Sequence, residues 1–319
     1  MKFVFTKLLI SAFLLFTFSS VQLLSQKENN DDDLSKEDIE KITSILSAND
    51  KKIESALKSD AKNYNAMKSD IENLSKLKDD AQKAMSIKDY QKKYSVAYGN
   101  ALKKAGVDLN RIAKQLQSQY PKYIISVENH AIYFKKSDLP KITGGKTSGK
   151  TEEVKLSNFR ESKDQSCALG SGGNVSQTST SVKVTSNAVV AGGCRTFGEK
   201  ILDYLIPKNV KNAKLKVKGT ILVEGFAVGI LGVATSFNGS YFNLDRNNIV
   251  GNSSYTTALF LWVAHNLEES DIEYESEFLP SKNINLVFYS RSSSMAGICC
   301  ETHGRAEINN IDAKVVLSK

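Results

Sequence analysis

The chain has 319 residues, with 43 Lys and Arg against 35 Asp and Glu, a formal charge of +8 and four cysteines. Its 41% hydrophobic content supports a sizeable core and excludes a wholly disordered chain. The charge is uneven: residues 26–46 carry 3 basic and 7 acidic side chains, 47–120 carry 15 and 9, and 167–319 carry 14 and 13. The basic surplus is spread along a helical region without clustering, which reads as a solvated helix face and argues against a nucleic-acid partner.

The chain opens MKFVFTKLLISAFLLFTFSSVQLLSQ. Lys2 and Lys7 form a basic start, an apolar run follows, and small residues stand at Ser19, Ser20 and Ser25. Residues 1–25 thus read as a secretory signal peptide, with an uncleaved anchor as the alternative. The run is shorter than the ~20 residues that span a bilayer, and no later stretch is long and apolar enough. The expectation is an exported protein, secreted or periplasmic, with no membrane span after cleavage.

Residues 26–36 read as an acidic, disordered tail. Ser35 and Asp38 then stand at the spacing of a helix capping box. Ile39, Leu46, Ile53, Met67 and Leu74 share one seven-residue register, broken by Asp60. This predicts a coiled coil or helical hairpin, open to use in oligomerisation. A second helix is expected from Ile87 to Ala105, ended by Gly106. A third, capped by Asp108, should stop at Pro121. The segment YIISVENHAIYF, residues 123–134, reads as a β-hairpin closing a first domain at 37–136.

Residues 137–151 are rich in Gly, Ser, Thr and Lys and read as a linker. Within them, Gly144, Gly149, Lys150 and Thr151 match the letters of a phosphate-binding loop. Such a loop needs a strand before it and a helix starting at its Lys-Thr, so that backbone N–H groups and the helix dipole meet the phosphates. Here Pro140 precedes it and the strand-like EEVKLSNF follows, so no nucleotide cofactor is expected.

From residue 152 onward, short β-rich runs alternate with Gly, Asn and Ser. Strands are expected over 181–186, 214–223, 226–237, 257–264, 271–278, 284–290 and 307–317. The fold class is therefore α+β: a helical segment with a small hairpin, then an antiparallel β-sandwich over 152–319.

Cys167, Cys194, Cys299 and Cys300 all lie in this second part. An even count in an exported chain favours two disulfides. Cys299 and Cys300, as neighbours on a strand, face opposite ways, so each is expected to pair with one of the other two; a Cys167–Cys194 bond is the next arrangement. Cys300-x-x-His303 could be half of a zinc site, but His130 and His265 sit in unrelated settings and no metal is expected. Asp271, Glu273, Glu275 and Glu277 form an acidic comb on one strand face, and Lys214, Lys216 and Lys218 a basic one. As neighbours they would pair and help set register. Trp262, within TALFLWVAH, reads first as core. Tyr241, Phe242 and Tyr255, set among Asn, Ser and Gly, are the better exposed aromatics. All four are carried as ligand-binding candidates.

Some features after the linker have a familiar order: Asn158-Phe159-Arg160-Glu161, the strand TSVKVTS, the segment 195–205 leading into KLKVKGTI, and the ending GRAEINNIDAKVVL. This order resembles the galactose-binding-like jelly rolls of carbohydrate-binding modules, over roughly residues 155–317. The resemblance implies a non-catalytic sandwich that binds glycan or cell-surface material. The place of the family's terminal Asp, which in many members helps bind calcium, is held by Asn309, so calcium is not expected. The other reading is a secreted module that binds a protein partner without sugar affinity. Asn73, Asn174, Asn238 and Asn252 head Asn-x-Ser sequons.

Overall fold

The computed structural model describes residues 34–136, 151–168, 170–189, 192–297 and 300–319. The signal-peptide reading, the tail up to residue 33, the linker up to residue 150 and Cys299 lie outside the described residues. The chain divides into two compact units, Met1–Ser44 and Ile45–Lys319.

In the first unit, the capping box forms as read: Asp38 N–H donates to Ser35 Oγ and Ser35 N–H to Asp38 Oδ2, each at 3.1 Å. Helix α1 covers Lys36–Ser47.

The second unit holds the remaining helices and both sheets. Helix α2 is Asp50–Lys58, α3 is Ala61–Leu74, α4 is Asp80–Ala105 and α5 is Leu109–Gln119. The single heptad register is thus cut into three helices. Asn49 and Asp60 make the cuts, and Asp60 caps α3 by accepting the Asn63 N–H at 3.2 Å. Leu46, Ile53, Met67 and Leu74 are nonetheless all buried, so the stripe survives the breaks. Helix α4 begins seven residues before the expected Ile87, because Asp79 caps it through the Gln82 N–H at 2.7 Å. It ends at Gly106, whose φ of 66° is left-handed. Asp108 caps α5 as expected, through the Arg111 N–H at 3.1 Å.

Thirteen strands follow among the described residues: β1 Tyr123–Glu128, β2 Ala131–Lys136, β3 Thr151–Leu156, β4 Arg160–Cys167, β5 Ser171–Thr178, β6 Ser181–Val189, β7 Gly193–Leu205, β8 Asn212–Gly229, β9 Ala234–Leu244, β10 Asn247–Ala258, β11 Trp262–Phe278, β12 Asn283–Ala296 and β13 Glu301–Ser318. They build two antiparallel sheets packed as a sandwich. One has the order β1-β2-β10-β9-β12-β7-β4, and the other β11-β8-β13-β6-β5, with β3 added to the end of β13. Thr151 opens β3, a strand, where a phosphate-binding loop would start a helix.

The β1–β2 hairpin turns at Asn129 and His130, with φ of 47° and 59°. It does not close off a helical segment: β2 pairs with β10, so the hairpin ends the seven-stranded sheet. Its open edge is plugged by one side chain. Gln117 of α5 accepts the Ile125 N–H at 2.9 Å and donates to the Tyr123 carbonyl at 2.6 Å. This pairs backbone groups that would invite another strand.

The expected strand 226–237 is two strands, since β8 ends at Gly229 and β9 starts at Ala234. The expected strand 257–264 is a corner: β10 ends at Ala258, Leu259–Leu261 turn, and β11 starts at Trp262.

The space between the sheets has two halves. One is apolar, with Leu215, Val217, Val223, Phe242, Phe288 and Val315 fully closed to solvent. Burying each such side chain contributes about 1.5–3 kcal/mol. The other half is polar. On the seven-stranded sheet, Thr256, Ser236 and Ser294 form one row across β10, β9 and β12, and Ser254, Asn238 and Ser292 form the next. Facing them, Gly173, Ser186, Gly304, Gly225 and Asn266 form a row across the other sheet. Hydrogen bonds close the seam. The Ser186 and Ser292 hydroxyls are 2.7 Å apart, and Ser292 Oγ donates to Asn238 Oδ1 at 2.6 Å. Asn266 Nδ2 donates to Ser254 Oγ at 2.6 Å.

Candidate functional site

The four aromatic candidates do not come together, and each is 0% exposed. This corrects the expectation of exposed rings at Tyr241, Phe242 and Tyr255. Their Asn, Ser and Gly neighbours are strand residues, not loop residues. Strand alternation turns Tyr241 and Tyr255 away from the six-stranded sheet and Phe242 toward it. The Tyr241 ring lies over Gly239 and Gly251 and stacks on Tyr289 at 5.0 Å. Tyr255 meets Phe134 at 4.8 Å. Phe242 packs in the apolar half, stacked on Phe288 at 5.0 Å.

Trp262 packs as core against the helices. It stacks on Tyr98 of α4 at 4.2 Å, and its Nε1 donates to the Asn129 carbonyl at 2.6 Å. Helix α4 also satisfies the corner that precedes Trp262. Tyr98 Oη donates to the Phe260 carbonyl at 3.1 Å, Tyr90 Oη to Leu261 at 3.0 Å, and Gln91 Nε2 to Val263 at 2.9 Å. Burial pushes both phenols up, so they remain protonated donors.

The polar group that does reach solvent lies where the start of α4 meets the outer face of the six-stranded sheet. His265, Phe226 and His303 stand side by side across β11, β8 and β13. Phe226 is buried beneath them, stacked on His265 at 4.4 Å. Glu224, one outward position along β8, lies 3.0 Å from His265 Nε2. From α4, Lys83 donates to Glu301 Oε1 at 2.5 Å, and Asp80 Oδ2 lies 3.8 Å from His303 Nε2. Arg305 and Glu307 pair in the rows beyond. Burial is the main cause holding the His303 imidazole below its ordinary value, and Lys83 adds to it. Asp80, Glu224 and Glu301 pull the other way. The result is a corner with a ring at its base, carboxylates and imidazoles around it, and α4 as one wall. Sequence reasoning named the histidines but not this group, because its members come from four elements. The available signal was the outward position of His265 and His303 in their strands.

Cys167 and Cys194 form a disulfide, which corrects the expected pairing of these two with Cys299 and Cys300. The reason is register: β4 and β7 are antiparallel neighbours with the two cysteines directly opposite, Cα atoms 4.0 Å apart. Cys300 turns toward the Gly232 carbonyl, 3.4 Å from its Sγ, while His303 turns toward Asp80. Among the described residues no group of His, Cys, Asp and Glu is placed to hold a metal ion. The two combs do pair. Glu273, Glu275 and Glu277 stand opposite Lys218, Lys216 and Lys214 on β11 and β8. Glu275 bridges Lys214 at 2.8 Å and Lys216 at 3.2 Å.

No family model matches the chain, and no curated protein matches it. Solved structures match in part. The enzymatically active domain of bacteriophage CBA120 tailspike protein 4 is 9% identical over 48% of this chain, with a TM-score of 0.17, and the match spans 19% of the tailspike chain. TmCBM61 in complex with β-1,4-galactotriose is 12% identical over 49% of this chain and 88% of its own, with a TM-score of 0.12. A family 11 carbohydrate-binding module from Clostridium thermocellum, in complex with a β-1,3-1,4-mixed-linked tetrasaccharide, is 13% identical over 54% of this chain and 97% of its own, with a TM-score of 0.16. Likeness at this level transfers no site and no ligand.

Proposed function

We propose that the chain is an exported, non-enzymatic binding protein whose β-sandwich holds a glycan at the corner between α4 and the outer sheet face. Export rests on the signal-like start of the sequence. The observation that carries the ligand class is the alternation of acceptors and donors around Phe226: Glu224 and Glu301 beside His265, His303 and Lys83. Sugar hydroxyls both donate and accept, and such a set satisfies both at once. Three carboxylates, Asp80, Glu224 and Glu301, face one fixed cation, Lys83. The corner therefore suits neutral or amine-bearing sugars and repels sulfated or uronic ones. Each carboxylate already sits beside a cation or imidazole, an arrangement suited to recognition more than to proton transfer. In this reading the helices form a wall of the site and are not a free spacer.

A glycan array probed with the mature chain tests this. Binding to neutral or amino sugars should weaken about tenfold or more in Glu224→Gln and in His303→Ala, about 1.4 kcal/mol or more. A silent array, or binding untouched by both changes, would refute it. One observation favours a protein partner instead. Leu205 and Leu279 are 62% and 75% exposed at one end of the sandwich. The loops beside them are joined by the Ile206 N–H to the Lys282 carbonyl and the Ser281 N–H to the Ile206 carbonyl, each at 3.0 Å. Loss of partner capture in Leu205→Ser with Leu279→Ser, with the array silent, would establish that reading.

A further inference from the structure

The corner Leu259–Leu261 is strained and held from outside. Leu261 carries a φ of 50°, which a branched residue adopts at a cost. Helix side chains grip its backbone from two sides. Tyr98 and Tyr90 of α4 donate to the Phe260 and Leu261 carbonyls, as neutral phenols. Asp50, the first residue of α2, lies near enough to the Phe260 N–H for that group to favour its ionised form. Its Oδ1 is buried and has no hydrogen-bond partner. The groups that face Asp50 are Glu54 one turn along α2, the Tyr98 phenol from α4, and Cys300 beyond Gly232. A Cβ placed on Gly232 would lie 3.8 Å from Asp50 Oδ2 and 3.9 Å from Cys300 Sγ. None of these groups is a cation, so the site is built for an uncharged carboxyl.

We propose that Asp50 is a proton-controlled latch: uncharged, it holds α2 on the corner that leads into β11, and ionised, it loosens that hold. An unpaired charge in such a place costs more than the one nearby N–H returns. Burial is the main cause raising the carboxyl, Glu54 adds to it, and the Phe260 N–H opposes it, leaving it at about 7. The docked and loosened states therefore exchange populations near neutral pH. Tyr98 connects the latch to a built-in reporter, because its ring stacks on Trp262, the single tryptophan.

Trp262 fluorescence, followed from pH 5 to 9 on the full chain, tests the latch. A transition is expected with its midpoint near 7, absent in Asp50→Asn. His130 is the other titrating ring beside Trp262, at 5.4 Å, and burial holds it below its ordinary value. His130→Gln should leave the transition near 7 in place. Amide exchange of the Phe260 N–H should quicken across the same range in the native chain and stay level in Asp50→Asn. A transition that survives Asp50→Asn, or that vanishes in His130→Gln, would overturn the proposal. So would amide exchange at Phe260 that does not change with pH.

Discussion

At the scale of single residues, the polar half of the sandwich rests on close approach. A Cβ added to Gly304 would lie 2.2 Å from Asn238 Oδ1 and 2.5 Å from Ser292 Oγ. Both atoms belong to the seam's hydrogen-bond chain, so Gly304→Ala must push the sheets apart or break that chain. A loss of about 2–4 kcal/mol is expected in urea unfolding, from overpacking combined with unpaired buried groups. The seam also settles one sequon. Asn238 is fully buried and bonded on both sides, so a glycan there is incompatible with the fold. The disulfide is a second residue-scale device. Cys167 and Cys194 are 27 positions apart, and Cys167→Ser with Cys194→Ser should cost about 3 kcal/mol, read as a lower denaturation midpoint.

At the scale of elements, paired combs set the register of β8 against β11. A slip of one residue would turn Leu215 and Val217 out of the core and bring lysines in. Glu275 is the centre of this pairing. Its carboxyl is held below the ordinary range, chiefly by its hydrogen bond from Lys214, with Lys216 adding to it. That contribution is present above the unfolded carboxyl's value and is lost as the pH falls through the folded one. Glu275→Lys would set three cations together, with Lys214 already buried. An expected loss of about 1–2 kcal/mol, shrinking in high salt, can be read from thermal melts at two ionic strengths. Three of the strands that sequence reading passed over share a polar character. β4 and β5 are polar edge strands, RESKDQSC and SGGNVSQT, and much of β10 lines the hydroxyl seam. None shows alternation of apolar and polar residues, because neither an edge nor a polar seam requires it.

At the scale of the whole molecule, Asp50 and His303, both half-buried, move stability with pH in opposite directions. The folded value for Asp50, about 7, lies above its ordinary 3.8. The folded state therefore binds its proton more tightly, and stability falls as the pH rises from about 4 through 7. The bound on this loss is about 4 kcal/mol, which partial solvent contact reduces. His303 is held below its ordinary 6.5, so stability also falls as the pH drops below that value. Below 6.5 the two effects oppose each other, so the decline should be clearest above 6.5, and Asp50→Asn should weaken it. Guanidinium unfolding at pH 5, 6, 7 and 8, in the native chain and in Asp50→Asn, measures this.

The linear sequence by itself determined the helix caps at Ser35 and Asp108, the break at Asp60, the hairpin at Asn129-His130, the charge combs and the antiparallel β class. Each depends on neighbours a few positions away or on one strand's alternation, so it is readable in the chain order. Tertiary structure alone decided the disulfide partner, the corner at Leu259–Leu261, the burial of Tyr241, Phe242 and Tyr255, and the meeting of Asp80, Lys83, Glu224, His265, Glu301 and His303. These follow from which strands become neighbours and in what register. Strand neighbours are set by the summed packing of both sheets, and no local pattern in the chain encodes that sum.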